Sequence, residues 1–284
     1  MGTEFEIVIA AKDLHVAFEL EQYARHLEQL WTRFDKSSEL MKLNMNSGAS
    51  LVVSNETAQL VSEMRRGFII TDGWFNAGVL NHMNEHGFSA NVIFDNPRKI
   101  ESERYFQLWN EVLIDEQFVC LPPGLAIDAG GIGKGLAADF IADKAMNLGC
   151  EGVVVNAGGE VAVRGETNNP QGWTVGVENP FNEGQHVATV RLSAGGLATS
   201  APSGWIVDGK SHIMNPHTGM PISHELAQAT VLCARAVDAE VLAKMCLLMP
   251  VEESLVKIDK LGAAALIIRD DMTMFASAKW SDYQ

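Results

Sequence analysis

The sequence predicts an α+β fold, with largely antiparallel sheet packed against several long helices, and three observations predict it. Strand-like segments come in pairs joined by tight turns. A few long amphipathic patterns with helical spacing interrupt those pairs. The regular β-α alternation of a doubly wound parallel sheet is missing, so that architecture ranks second.

Taken in order, Phe5, Ile7 and Ile9 alternate with Glu4 and Glu6, the pattern of a half-buried strand. Asp13 then stands where a long helix would be capped, and its apolar stripe runs Val16, Leu20, Tyr23, Leu27, Leu30 and Phe34. A second helix is expected after Ser54, carrying Leu60, Met64 and Phe68 inward. Strands are expected over 112–114, 118–121, 153–156, 161–164, 173–178 and 187–192. Asp208-Gly209 between Trp205-Ile206-Val207 and His212-Ile213-Met214 is a strong two-residue hairpin signal. A helix over 235–248 stops ahead of Pro250, and Asp270-Asp271 joins a last pair of strands, 264–269 and 272–277.

The chain has 284 residues, 47% of them apolar and 20% charged, so a sizeable core is available. With no linker, repeat or low-complexity segment, one compact unit over 1–284 is expected, with room for two lobes. No run approaches ~18 apolar residues, so no membrane span is expected. The N-terminus lacks the regions of a secretory signal, which reads as a cytoplasmic chain, or an exported one if a leader was trimmed ahead of Met1. Twenty-one Lys and Arg against 36 Asp and Glu give a net charge of −15. That balance argues against a nucleic-acid partner. It also requires any anionic ligand to find a locally positive pocket, built from backbone N–H groups, a lysine or a metal. Cys120, Cys150, Cys233 and Cys246 form no C-x-x-C pair and read as small apolar side chains.

The densest motif is Asp128-Ala-Gly130-Gly131-Ile-Gly133-Lys134-Gly135, which follows an apolar segment and opens a helical stretch. Glycines there let backbone N–H groups approach a phosphate at a helix start, and Lys134 adds a point charge. It is not a Walker A loop: Asp128 stands where the first glycine would be, and Gly135 replaces the Ser or Thr that would hold magnesium. The plain alternative is a tight turn with a solvated lysine. Asn156-Ala-Gly158-Gly159-Glu160 reads as a glycine turn between strands. His212, next to two tight turns, is placed to act as a general acid or base, or is a structural histidine. Glu240 and Lys244, four apart on one helix face, read by default as a modest surface ion pair.

Taken together and in order, these segments resemble the ApbE family of flavin transferases along almost the whole chain. Met1-Gly2-Thr3 with the alternating strand looks like the family's opening. Ser38-Glu39-Leu40 with Asn44 and Gly48 resembles its S-E-[LI]-x-x-x-N stretch, and Thr71-Asp72-Gly73-Trp74-Phe75-Asn76 its T-D-G-x-F-D segment. Residues 128–135 resemble D-L-G-G-I-A-K-G, 156–160 resemble N-A-G-G-D, Leu197-Ala-Thr199-Ser200 resembles [LIV]-A-T-S-G, and 212–219 resemble H-I-I-D-P-R-T-G.

The resemblance implies an enzyme that splits the pyrophosphate of FAD and moves FMN to a Thr or Ser hydroxyl of an acceptor protein, releasing AMP. Magnesium is the usual cofactor. By motif position, Met1, Phe34, Trp74, Phe75 and Asn76 would line the flavin nucleotide site, with Phe34 stacking on adenine. Asp128 and Lys134 would also contact FAD, with Ile213 beside it. His212 matches the histidine needed for activity. The Gly131 carbonyl and Glu240 fall at metal-ligand positions. The family's A-D-A-L-A-T helix is Ala239-Glu240-Val-Leu-Ala-Lys244 here, so an ammonium replaces a hydroxyl ligand. An ammonium cannot ligate magnesium, although both neutralise phosphate oxygens. Asn215 and His217 replace the Asp and Arg of the D-P-R-T-G turn. Two alternatives accompany the transferase reading: an FAD pyrophosphatase, with water in place of the acceptor, and a catalytically silent FAD-binding protein, motivated by Lys244.

Overall fold

The structure is a computed structural model that describes residues 4–88, 104–167, 169, 172–223 and 225–284. Two compact units emerge. The first comprises His26–Gly133 with Trp205–Ser223, and the second Lys134–Gly204 with the N-terminal residues to Arg25 and the C-terminal residues to Gln284.

The second unit holds a seven-stranded sheet in the order Phe5–Ile9, Gly152–Ala157, Glu160–Gly165, Gly195–Ser200, Leu226–Cys233, Ala264–Arg269 and Met274–Ala276. Every neighbouring pair is antiparallel. At one edge the Phe5–Ile9 strand is half-buried at alternate residues, as its sequence alternation requires. The inner strands are buried on both faces, hence the apolar runs Val153-Val154-Val155 and Ala264 to Ile268. Against the sheet, the Trp173–Glu178 and His186–Leu192 hairpin brings Val177, Val190 and Leu192 into one cluster with Val161, Val163, Leu197, Leu266 and Trp280. Helix Ala236–Leu248 is buried on nearly all sides. That is the position of a core helix, and its all-round apolar sequence fits it.

The first unit is built on helix Asn55–Ile70, capped by Ser54, whose hydroxyl accepts from the Thr57 N–H. Leu60, Met64 and Phe68 point inward, as their spacing predicts. The short strands Ser50–Val52, Phe118–Cys120 and Leu113–Asp115 form a three-stranded sheet with Phe118–Cys120 in the middle. Ile206–Val207 and Lys210–Ser211 pair across Asp208 and Gly209, whose positive φ angles (49° and 73°) are those of the turn that the Asp-Gly pair predicts.

Three expectations change. Asp13 does not cap the first long helix, because a 3-10 turn over Ala11–Val16 intervenes before the helix Ala17–Trp31. The buried stripe of that helix is Leu20, Ala24, Leu27 and Trp31; the chain leaves the helix before Phe34, which is exposed. The returning arm of the Asp208-Gly209 hairpin is Lys210–Ser211, since a two-residue loop places Lys210 opposite Val207. Glu39–Met45, capped by Ser38, is a short helix that the sequence reading does not predict. Among the described residues no helix is long and apolar enough to cross a membrane.

Candidate active site

In the first unit the site residues gather around a side chain that the motifs do not flag. Arg33 lies just past the helix Ala17–Trp31 and is buried. Its guanidinium donates to Asp128 Oδ1 at 3.3 Å and to the Phe88 carbonyl at 3.0 Å. Its Cζ sits 5.3 Å from the Phe34 ring and 5.1 Å from the Trp205 ring, within cation–π range. Trp205 in turn packs on Phe88 at 5.2 Å and lies 6.3 Å from the His212 ring. Phe34, Asp128 and His212 therefore belong to one constellation with Arg33 and Trp205 linking them. His212 Nδ1 lies 3.2 Å from the Trp205 carbonyl oxygen. A carbonyl only accepts, so Nδ1 carries the proton and Nε2 is the basic nitrogen.

The Thr71-to-Asn76 segment owes its shape to a left-handed turn at Asp72 (φ 52°) and Gly73 (φ 81°). The Thr71 hydroxyl accepts from the Phe75 N–H at 3.0 Å and fixes the turn. Trp74 is half-buried and meets the His217 ring edge-on at 4.5 Å. Phe75 is buried. Asn76 Oδ1 accepts from the Gly78 N–H at 2.8 Å and from Trp109 Nε1 at 2.9 Å, so it organises its own loop. Ile213 is buried, with its carbonyl accepting from the Ile222 N–H at 3.0 Å. Asn215 keeps the turn-forming role of an Asp, accepting from the N–H groups of His217 and Thr218. Gly131 is half-buried in the turn that ends with Gly133 N–H on the Ala129 carbonyl. Met1 lies outside the described residues.

In the second unit Lys134 and Glu240 come together, and two further residues join them. Lys134, second residue of helix Gly133–Asn147, pairs with Glu160, the first residue after the Gly158-Gly159 turn. Its Nζ is 3.7 Å from Glu240 Oε1. Lys244 Nζ is 3.1 Å from the same oxygen and 3.5 Å from the Ser200 hydroxyl. Glu240 Oε2 accepts from the Gly135 N–H at 2.8 Å, so the glutamate caps the start of the glycine-led helix, where a negative charge is favoured. Although burial opposes its charge, Glu240 and Glu160 hold the Lys134 ammonium above its ordinary value. Burial pushes Glu160 up to about 7, against the pull of Lys134. The lysine is therefore paired, not solvated.

The expected surface ion pair is a correction too. The side chain of Glu240 is 0% exposed and that of Lys244 12%. The apolar neighbours Val237, Ala239, Val241, Leu242 and Ala243 were the available signal for a buried pair. The glycines also act differently from a bare phosphate cradle. Gly130 and Gly135 direct their N–H groups at Asp128 Oδ2 and Glu240 Oε2, carboxylates of the chain itself. A Cβ on Gly135 would lie 2.6 Å from the Ala236 carbonyl oxygen, so that glycine also permits close helix packing.

Glu240 does not fit the magnesium-ligand role that its motif position implies. One oxygen faces two ammonium groups and the other accepts a backbone N–H, an arrangement that would repel a dication where a ligand oxygen is needed. Among the described residues no group of three or more His, Cys, Asp or Glu is arranged to hold a metal ion.

Comparison with known proteins follows the same outline. The ApbE family profile matches residues 1–267, and the chain belongs to the ApbE family. It is 27% identical to a Klebsiella pneumoniae (strain 342) protein named FAD:protein FMN transferase, over 96% of this chain and 85% of that one. A protein of the same name from Escherichia coli (strain K12) is 28% identical over 84% of this chain and 74% of its own length. Among solved structures, an ApbE protein from Thermotoga maritima superposes with a TM-score of 0.85 at 24% identity, covering 99% and 96% of the two chains. The flavin transferase ApbE from Vibrio cholerae gives 0.81 at 25% identity, covering 100% and 96%. The α+β architecture is the ApbE fold.

Proposed function

We propose that this chain, over 1–284, is an FAD:protein FMN transferase. The observation that carries the reading is the family match over nearly the whole chain. It is supported by cationic groups held at both ends of the 128–135 loop, Arg33 beside Asp128 and Lys134 between two glutamates.

In the reaction, a Thr or Ser hydroxyl of the acceptor protein attacks the phosphorus on the riboflavin side of FAD. A new P–O bond to the acceptor forms as the bridging P–O bond breaks, and AMP leaves with the bridging oxygen and its electron pair. The hydroxyl proton passes to Nε2 of His212, whose Nδ1–H is oriented by the Trp205 carbonyl. Phe34 and Trp205, stacked about Arg33, offer aromatic faces to the adenine. Trp74, Phe75, Asn76, Asp128 and Ile213 complete the nucleotide surroundings. Since Glu240 does not fit magnesium, the transfer as written uses no metal.

Chromatography of nucleotide products tests the assignment. With FAD and a Thr-bearing acceptor peptide, AMP should appear in step with loss of FAD, and only when the peptide is present. Equal AMP and free FMN without acceptor would replace the reading with a pyrophosphatase. Unchanged FAD under all conditions would leave a silent FAD-binding protein.

A further inference from the structure

The four-residue chain Glu160–Lys134–Glu240–Lys244 holds two carboxyl groups and two ammonium groups, and its charges cancel when Glu160 is ionised. The burial within it is unequal. The two glutamate side chains are 1% and 0% exposed, whereas Lys134 retains 21% and Lys244 12%. What solvent reaches in this cluster is therefore its cations, backed by anions that fix them in place. Ser200 adds a hydroxyl beside Lys244. We propose that this cluster is a built-in substitute for a divalent cation: Lys244, held by Glu240, presents with Lys134 a pair of fixed positive charges to the diphosphate of the substrate, and the chain binds FAD without metal. The inference rests on the FAD reading above.

Two physical arguments support it. A dication added at Glu240 Oε1 would meet two ammonium groups, at 3.1 and 3.7 Å from the same oxygen, in surroundings with little water to screen the repulsion. Displacing Lys244 to admit it would break the ammonium's pair with the buried Glu240. The incoming diphosphate needs neither rearrangement. Both lysines keep some exposure, and each ammonium has three donors to share between carboxylate and phosphate oxygens. In this role Lys244 is a positioning and charge-balancing residue.

The test is binding, measured on the full chain. Flavin fluorescence is titrated with protein in EDTA and, separately, in excess magnesium, while Mn2+ binding is followed by the loss of the free-ion EPR signal. The expected result is a saturable FAD complex with dissociation constants within about twofold in the two buffers, and no stoichiometric Mn2+ site on the wild-type protein. Lys244→Thr should weaken FAD at least tenfold in EDTA, regain it in magnesium and acquire a Mn2+ site. Lys244→Arg, which keeps the charge, should stay insensitive to EDTA. The inference is overturned, with the FAD reading intact, if the wild type saturates with FAD only in magnesium, or holds one Mn2+ that Glu240→Gln removes. Failure to saturate with FAD in either buffer overturns both. The wild-type arms decide the matter even if Lys244→Thr does not fold.

Discussion

Lys134 shows how a single side chain can be read at two levels. Its motif position marks it as a charge near a phosphate, but its partners Glu160 and Glu240 are remote in sequence, and their burial follows only from the packing of three elements around them. Removing the ammonium leaves two buried carboxylates short of a counter-charge. Lys134→Met should lower unfolding free energy by about 3 kcal/mol, read from the urea midpoint; this is the low end for a broken buried pair, because part of Lys134 is exposed. Lys134→Arg, with the charge kept, should lose less. An unchanged midpoint in Lys134→Met would mean that the cluster is solvated. The role of Arg33 and Trp205 is not legible at this scale, since no motif marks Arg33 and the hairpin signal marks Trp205 only as part of a strand. The signal was only their adjacency to Phe34 and to the hairpin.

Cys246 gives a pH-dependent counterpart. Burial pushes its thiol from the ordinary 9.0 up to about 12, and the Ser254 hydroxyl only partly offsets this. The folded state favours the neutral thiol, so its contribution to stability is complete below about pH 9 and is lost as the pH climbs towards 12. At pH 9.5, mass mapping after brief iodoacetamide treatment should find Cys246 unmodified in native protein and modified once urea is added. Labelling of the native protein would contradict that burial.

At the scale of elements, local patterns located most strands and helices, and missed what depends on neighbours. The spacing predicts the helix over 235–248 to within one residue, yet it also predicts a surface ion pair where Glu240 and Lys244 form a buried one. Its start explains the difference. Asp139, on helix Gly133–Asn147, accepts from the N–H groups of Ala236 and Val237 and pairs with Arg164, which pins the two helices together through groups distant in sequence. At Gly135 the backbone of one helix lies directly against the start of the other. Gly135→Ala should destabilise by about 2 kcal/mol, measured by urea unfolding, because the added methyl meets backbone rather than a movable side chain. Stability equal to wild type would show that the helices can separate at no cost. The Ala17–Trp31 helix teaches the converse: its periodicity continued to Phe34 on paper, while the chain had already turned away.

For the whole molecule, the α+β class was legible because tight turns such as Asp208-Gly209 fix antiparallel neighbours from the sequence alone. The order of the seven-stranded sheet was not, since the strands Gly195–Ser200 and Leu226–Cys233 pair across a long insertion that no local signal bridges. A net charge of −15 means that any anionic ligand of this chain needs a locally positive site. The most direct test is the intact mass of an acceptor protein after incubation with this chain and FAD. The account predicts a gain of one FMN as a phosphoester on a Thr or Ser hydroxyl, abolished when that acceptor residue is changed to Val. An acceptor whose mass stays unchanged while FAD is bound and the protein remains folded would contradict it.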